Sequence, residues 1–207
     1  KQFSKHLAVP CEWRSLLIHA VQTAFRLLKV RFRVRYKKRV FNQHMNTIAI
    51  VDYGMGNLRS VSKAVEHADP SATIKITDDP AVIQAASRVI VPGQGAMPRC
   101  MQALSKHKLR EMILDAAKNK PFLGICLGLQ MLFDYSEEGN SEALGIFSGE
   151  DKKFIAQPVN GDGQKLKIPH MGWNEVHQDI DHPLWRGIST DARFYFVHSY
   201  YVVAMAA

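Results

Sequence analysis

Cys126 sits in the run Gly124-Ile125-Cys126-Leu127-Gly128, between an apolar stretch over residues 121–125 and a helical pattern over residues 127–135. A thiol at a strand-to-helix turn, with glycine two places to either side, has the layout of a nucleophile elbow with Cys in place of Ser. The glycines let the chain turn sharply and let neighbouring backbone approach. Such a turn lifts the sulfur above a sheet, and the start of a helix favours thiolate over thiol. The N–H of Leu127 then points where an oxyanion would form during attack on a carbonyl. Taken bare, the same GxCxG run fits a buried apolar cysteine equally well. Cys11 and Cys100 have no comparable setting, and Cys100, where a helical pattern opens, reads as packing.

Two further glycine turns precede the elbow. Pro92-Gly93-Gln94-Gly95 follows an apolar run and could turn a backbone N–H toward a nucleophile, although alone it is just a turn. Asp52-Tyr53-Gly54-Met55-Gly56-Asn57 has neither GxGxxG nor GxxxxGK[ST], so the sequence offers no phosphate-cradling loop.

Alternating patterns supply the elements that position these turns. Residues 47–53 read as a strand, followed by a helix through Val61, Ala64, Val65 and Ala68. Thr73–Thr77 reads as a second strand, and Asp78-Asp79-Pro80 opens a short helix in the manner of an N-cap and first turn. Residues 88–91 make a third strand, running into the 92–95 turn. One long amphipathic helix then carries Met101, Leu104, Met112, Ile113 and Ala116, before a fourth strand over 121–125 and a helix over 127–135. Strands alternating with helices predict a mostly parallel sheet with helices on both faces, an α/β fold. Ligand sites in such sheets lie at the carboxyl ends of strands, where the turns at 54–57, 92–95 and 126 all fall. Beyond Glu138 the pattern changes, and residues 145–155, 167–177 and 192–203 look extended.

Bulk properties narrow the function. The 207 residues suit one α/β domain. The formal net charge of +8 invites a nucleic-acid reading. Its distribution opposes that: residues 1–44 hold 11 Lys/Arg against the single acid Glu12, while residues 45–207 hold 16 Lys/Arg against 18 acids. The positive excess therefore lies in a basic N-terminal segment, expected to be an extension outside a domain spanning residues 45–207. A helix around residues 13–28 and a strand-like alternation at Val30, Phe32, Val34 and Tyr36 are the local expectations within it. No apolar run approaches the roughly 18 residues of a membrane helix. Three cysteines without a CxxC pair or metal spacing point to a reducing cytoplasm and to no metal site.

Taken with its flanking strand and with Leu129-Gln130, the elbow resembles the nucleophile motif of class I glutamine amidotransferases. Asp52-Tyr-Gly-Met-Gly-Asn57, Ile168-Pro-His-Met-Gly-Trp-Asn174 and Phe194-Tyr-Phe-Val-His-Ser-Tyr200 resemble, more narrowly, the glutaminase subunits of imidazole glycerol phosphate synthases. The resemblance covers residues 45–203 in order. It implies a flavodoxin-like sheet, Cys126 as nucleophile, and an oxyanion hole from backbone N–H groups around Gln94, Gly95 and Leu127. It further implies a glutamine pocket formed by Gly93, Gln130, Glu138 and backbone around Ser199 and Tyr200. By the residues alone, Glu138 is equally a solvated loop acid in Ser136-Glu137-Glu138. Asn57, Met171, Trp173, Asn174 and His198 are implied to face a barrel-shaped cyclase subunit, with glutamine as substrate, no cofactor, no nucleic acid and no membrane.

The family pairs its cysteine with a His-x-Glu motif near the C-terminus, and these 207 residues contain none. His182-Pro183-Leu184 has Leu where Glu is needed, and His177-Gln-Asp179 reads as a solvated turn. The sequence expectation is a C-terminal part left incomplete, with the general base absent. Three other readings stay open at this level: a glutaminase serving another synthase, a non-catalytic scaffold on the cyclase, and nucleic-acid binding by the basic segment.

Overall fold

The computed structural model describes residues 46–154, 167–179 and 181–205. The helix and strand expected within residues 1–44 lie outside these, as does Ile155, the last residue of the extended segment expected over 145–155. The described residues fall into two compact units, one holding residues 46–151 with Met205, the other residues 152–204.

In the larger unit, β1 (Thr47–Val51), β2 (Thr73–Thr77), β3 (Arg88–Gly93) and β4 (Phe122–Cys126) form a parallel sheet in the order β2-β1-β3-β4. This is the opening of the flavodoxin-like strand order. Four helices connect or follow the strands: α1 (Leu58–Ala68), α2 (Pro80–Ala85), α3 (Met97–Lys106) and α4 (Arg110–Asn119). Side chains alternate across a strand, so Ile48 and Ile50 of β1 share one face, where they pack with Ile90 against Leu58, Val61 and Val65 of α1. Ala49 and Val51 point to the other face and are equally buried, which explains why β1 reads as an unbroken apolar run. Asp79 caps α2 by accepting the Ala81 N–H at 2.8 Å.

Two helical expectations need correction. The single helix expected from Met101 to Ala116 is broken into α3 and α4. Lys108 takes a left-handed φ of 56°. The Leu109 N–H bonds the Leu104 carbonyl at 3.0 Å and the Lys108 N–H that of Ser105 at 3.1 Å. This is a Schellman stop, with both leucines buried to complete it. No Gly or Pro marks the break. The helix expected over 127–135 ends at Gln130, leaving the single turn α5 (Leu127–Gln130). The carbonyls of Met131, Leu132 and Phe133, which would have continued it, accept instead from Leu144, Ile146 and Gly145. The strand expected to Tyr53 ends at Val51, because the Gly54 N–H is drawn to the Asp52 carboxylate at 3.0 Å.

Short strands β5 (Tyr135–Ser136) and β6 (Ser141–Glu142) pair antiparallel, and β5 pairs parallel with the start of β7 (Gly149–Lys153). The smaller unit carries β8 (His170–Val176) and β9 (Ala192–His198), paired antiparallel with His170 opposite His198, followed by β10 (Tyr200–Ala204). Among the described residues no helix is long and apolar enough to cross a membrane.

Candidate active site

Cys126 ends β4 and precedes α5 at φ 55°, ψ −122°, and its side chain is exposed. For a non-glycine residue this is a strained backbone, worth on the order of 1–3 kcal/mol. The sharp turn is thus taken by the cysteine itself. Gly124 and Gly128 are not among the positive-φ glycines, which corrects the expectation that they make the turn. Their role is close approach. A Cβ on Gly128 would overlap the Val91 carbonyl, 2.9 Å from its carbon, and one on Gly124 would lie 2.8 Å from the Gly128 carbonyl carbon. Gly93, the register partner of Cys126, has the same constraint: its Cβ would lie 2.7 Å from the Leu127 carbonyl carbon. The 92–95 loop and the turn after Cys126 therefore meet backbone to backbone.

The loop is also fixed from beneath. Tyr53, fully buried, donates its hydroxyl to the Pro92 carbonyl at 2.8 Å. The Cys100 thiol lies 3.7 Å from the Gln94 carbonyl. Burial pushes both the Tyr53 phenol and the Cys100 thiol up from their ordinary values, keeping them protonated donors. With the Gln94 carbonyl turned toward Cys100, peptide planarity turns the Gly95 N–H the opposite way. Gly95 has φ +106°, open to glycine and strained for other residues. Leu127, first in α5, carries one of the N–H groups that a helix leaves without an intrahelical acceptor. The larger unit therefore brings together Cys126, Gly93, Gln94, Gly95 and Leu127, a set able to hold a thiol beside backbone donors.

Gln130 and Glu138 are each tied down in ways the sequence did not show. Gln130 donates its amide to the Asp151 carboxylate at 3.0 Å. Glu138 accepts the Met97 N–H at 2.8 Å, so it is not a solvated loop acid. It caps α3, whose own N-cap residue, Ala96, supplies no side-chain bond. Asn57, expected at a partner face, caps α1 by accepting the Ser60 N–H at 3.2 Å.

The remaining site candidates belong to the smaller unit. The Ser199 carbonyl accepts from Phe154 N–H at 3.0 Å, and the Tyr200 carbonyl from His198 Nδ1 at 2.9 Å. That last bond assigns the proton of His198 to Nδ1 and leaves Nε2 to accept from His170 Nδ1 at 3.2 Å; His170 Nε2 in turn faces the Asn174 amide at 3.4 Å. Burial pushes both histidines down, toward the neutral form that this chain of bonds requires. On the opposite face of the same two strands, Met171 pairs with Val197 and Trp173 with Tyr195. All four are more than half exposed: 61%, 53%, 58% and 53% respectively. His177, expected in a solvated turn, pairs with Asp191, whereas His182 accepts the Leu184 N–H within its own turn.

Sequence reasoning missed Tyr53, Ser136 and Asp151. The sequence places Tyr53 at the end of a strand and the start of a turn without showing its buried hydroxyl, and Asp151 lies in Gly-Glu-Asp-Lys-Lys, which looks like surface. Only strand alternation in that stretch separates the buried Asp151 from its charged neighbours.

Residues 49–207 match the family described as glutamine amidotransferase class-I. The chain is 67% identical over 159 residues to the imidazole glycerol phosphate synthase subunit HisH of Nitrosomonas europaea, covering 76% of this chain and 75% of that relative. The subunit of the same name from Nitrosospira multiformis is 63% identical over the same shares. That of Neisseria meningitidis is 54% identical over 157 residues, 74% of each chain.

Proposed function

Because the chain belongs to the class-I glutamine amidotransferases, and within them to the HisH subunits of imidazole glycerol phosphate synthase, we propose that Cys126 is the nucleophile of a glutamine hydrolysis that supplies ammonia for histidine biosynthesis once a general base joins it. The receiver is a barrel-shaped cyclase subunit, which turns a ribulosyl intermediate into imidazole glycerol phosphate and an aminoimidazole carboxamide ribotide. The pair works as a cytoplasmic heterodimer.

The observation that carries this reading is the strained, exposed Cys126 set against Gly93. The Cys126 sulfur attacks the carboxamide carbon, and the carbonyl electrons move onto oxygen, facing the N–H groups of Leu127 and Gly95. Collapse breaks the C–N bond as a proton reaches the amide nitrogen, which leaves as ammonia, and a glutamyl thioester remains. Water then attacks the thioester, releasing glutamate and the thiol. Gln130 and Glu138 hold the substrate's polar groups, and no cofactor takes part. The exposed Met171, Trp173, Tyr195 and Val197 form the apolar face that meets the cyclase.

Proton transfer needs a base, and the 207 residues contain no His-x-Glu. His198 is committed at Nδ1 to the Tyr200 carbonyl and at Nε2 to His170. Nucleophile and base are therefore tested separately. A limiting dose of a glutamine-shaped electrophile, followed by mass-spectrometric mapping, should label Cys126 first and be blocked by glutamine. Preferential labelling of Cys100 or Cys11 refutes the assignment. Glutamate production by this chain with its cyclase should be negligible, and joining a segment bearing His-x-Glu should raise it by about 10²–10⁴-fold. No gain on that addition favours a scaffold over an enzyme.

A further inference from the structure

Asp151, in β7, has no accessible surface. A buried carboxylate is costly unless hydrogen bonds hold it, and an apolar residue or Asn of similar size would fill the space more cheaply. Burial pushes its carboxyl up to about 7, against the pull of the bonds that it accepts. The side chains that it binds are the reason to keep it. Oδ1 accepts the Gln130 amide at 3.0 Å, and Oδ2 accepts the Ser136 hydroxyl at 2.7 Å. Ser136 Oγ then accepts the Glu138 N–H at 3.1 Å, and the Asp151 carbonyl accepts the Glu137 N–H at 2.9 Å. One buried side chain therefore joins the two residues assigned to the glutamine pocket.

We propose that Asp151, acting with Ser136, is the positioning residue of the glutamine pocket. It turns the Gln130 amide so that its donor end is spent inward and its carbonyl oxygen is presented as an acceptor for substrate N–H groups. It also fixes the 136–138 turn, so that the Glu138 carboxylate stays at the pocket while capping α3. Gln130 lies one helical turn beyond Cys126, on the same face. An amide rotated end for end would offer two donors there instead, a repulsive match to an ammonium or carboxamide N–H. The inference rests on the assignment of Gln130 and Glu138 to the pocket.

The test uses the full chain and the rate at which a glutamine-shaped chloroketone alkylates Cys126, with iodoacetamide as a reagent that needs no pocket. Wild type should saturate with the first reagent. D151A should raise the half-saturating concentration about tenfold or more with little change in the maximal rate. Its iodoacetamide rate should stay at the wild-type value, a split that general loosening of the fold would not give. D151N keeps an acceptor for the Gln130 amide and should recover most of the loss. D151A combined with Q130A should be no worse than the poorer single variant. A wild-type half-saturation in D151A overturns the inference. If D151A does not fold, S136A and D151N decide it: a rise in the first with the second near wild type supports it, and two unchanged values overturn it. Failure of the wild-type chain to saturate overturns the pocket assignment itself, and this inference with it.

Discussion

Around Cys126 three stretches of backbone touch with no side chain between them, whereas along β8 and β9 the backbone is an ordinary two-strand ladder and side chains set what it offers. The first region is defined by absent atoms, at Gly93, Gly124 and Gly128. The second is defined by atoms present: Met171, Trp173, Tyr195 and Val197 on one face, and the Asn174, His170 and His198 chain on the other. A site made of backbone contacts fails abruptly when altered. A surface made of side chains changes by degrees, in partner affinity more than in stability.

The sharpest break of this comparison is a pair of alanine substitutions. G128A should destabilise the larger unit by about 3 kcal/mol or more, because the new Cβ meets the Val91 carbonyl rather than a side chain that can move. W173A should shift stability by less than about 0.5 kcal/mol and weaken cyclase binding by about 2 kcal/mol. Urea denaturation and titration calorimetry read the two quantities. Equal stability losses in the two variants would erase the distinction.

Acid should move the β5–β7 part of the larger unit and the β8–β9 ladder in opposite directions. The folded pKa of Asp151, raised to about 7, exceeds its unfolded value. Its ionised form therefore penalises the fold above pH 7, and that penalty is relieved as the pH falls toward about 4. His170 and His198 have folded values below their unfolded ones. Their contribution is complete above about pH 6.5 and is lost as the pH falls through the unfolded and then the lowered value. Between pH 7.5 and 5, amide protection relative to the intrinsic exchange rate at each pH should rise in β5 and β7, by a stabilisation on the order of 2 kcal/mol, and fall in β8 and β9. D151N should remove the first trend and H198Q reduce the second. A shared direction in the parent chain would refute the opposition.

The smallest effect concerns the strain itself. C126G should stabilise the larger unit by about 1 kcal/mol, since glycine accepts φ 55° while adding chain entropy to the unfolded state. A loss of stability would show that the cysteine side chain contributes packing that outweighs its backbone.

What the sequence disclosed follows the same division. The parallel strands and the Asp79 cap were legible because each rests on local pattern, and the class-I glutamine amidotransferase fold expected from the motifs is the one the chain belongs to. The break at Lys108 was not legible, because a lysine rather than a glycine takes the left-handed turn. The early end of α5 was hidden because residues 144–147, distant in sequence, capture its carbonyls. The glycines of the elbow could be found by spacing, but the backbone contact beneath them could not. Asp151 stayed hidden in a charged run, because alternation along β7 offers two sides and its partners decide which one is buried.

The Gly93–Gly128 contact has a mechanical meaning. Side chains between layers act as soft springs, because rotamers can shift without moving the backbone. Here no such spring separates the sulfur's support from β3, so the support and the strand move as one stiff piece. Thermal displacement of Cys126 relative to Gly93 should be correspondingly small. If Cys126 is the nucleophile proposed above, whatever compliance substrate entry demands must come from the loops around the elbow, with Cys126 itself as the fixed datum.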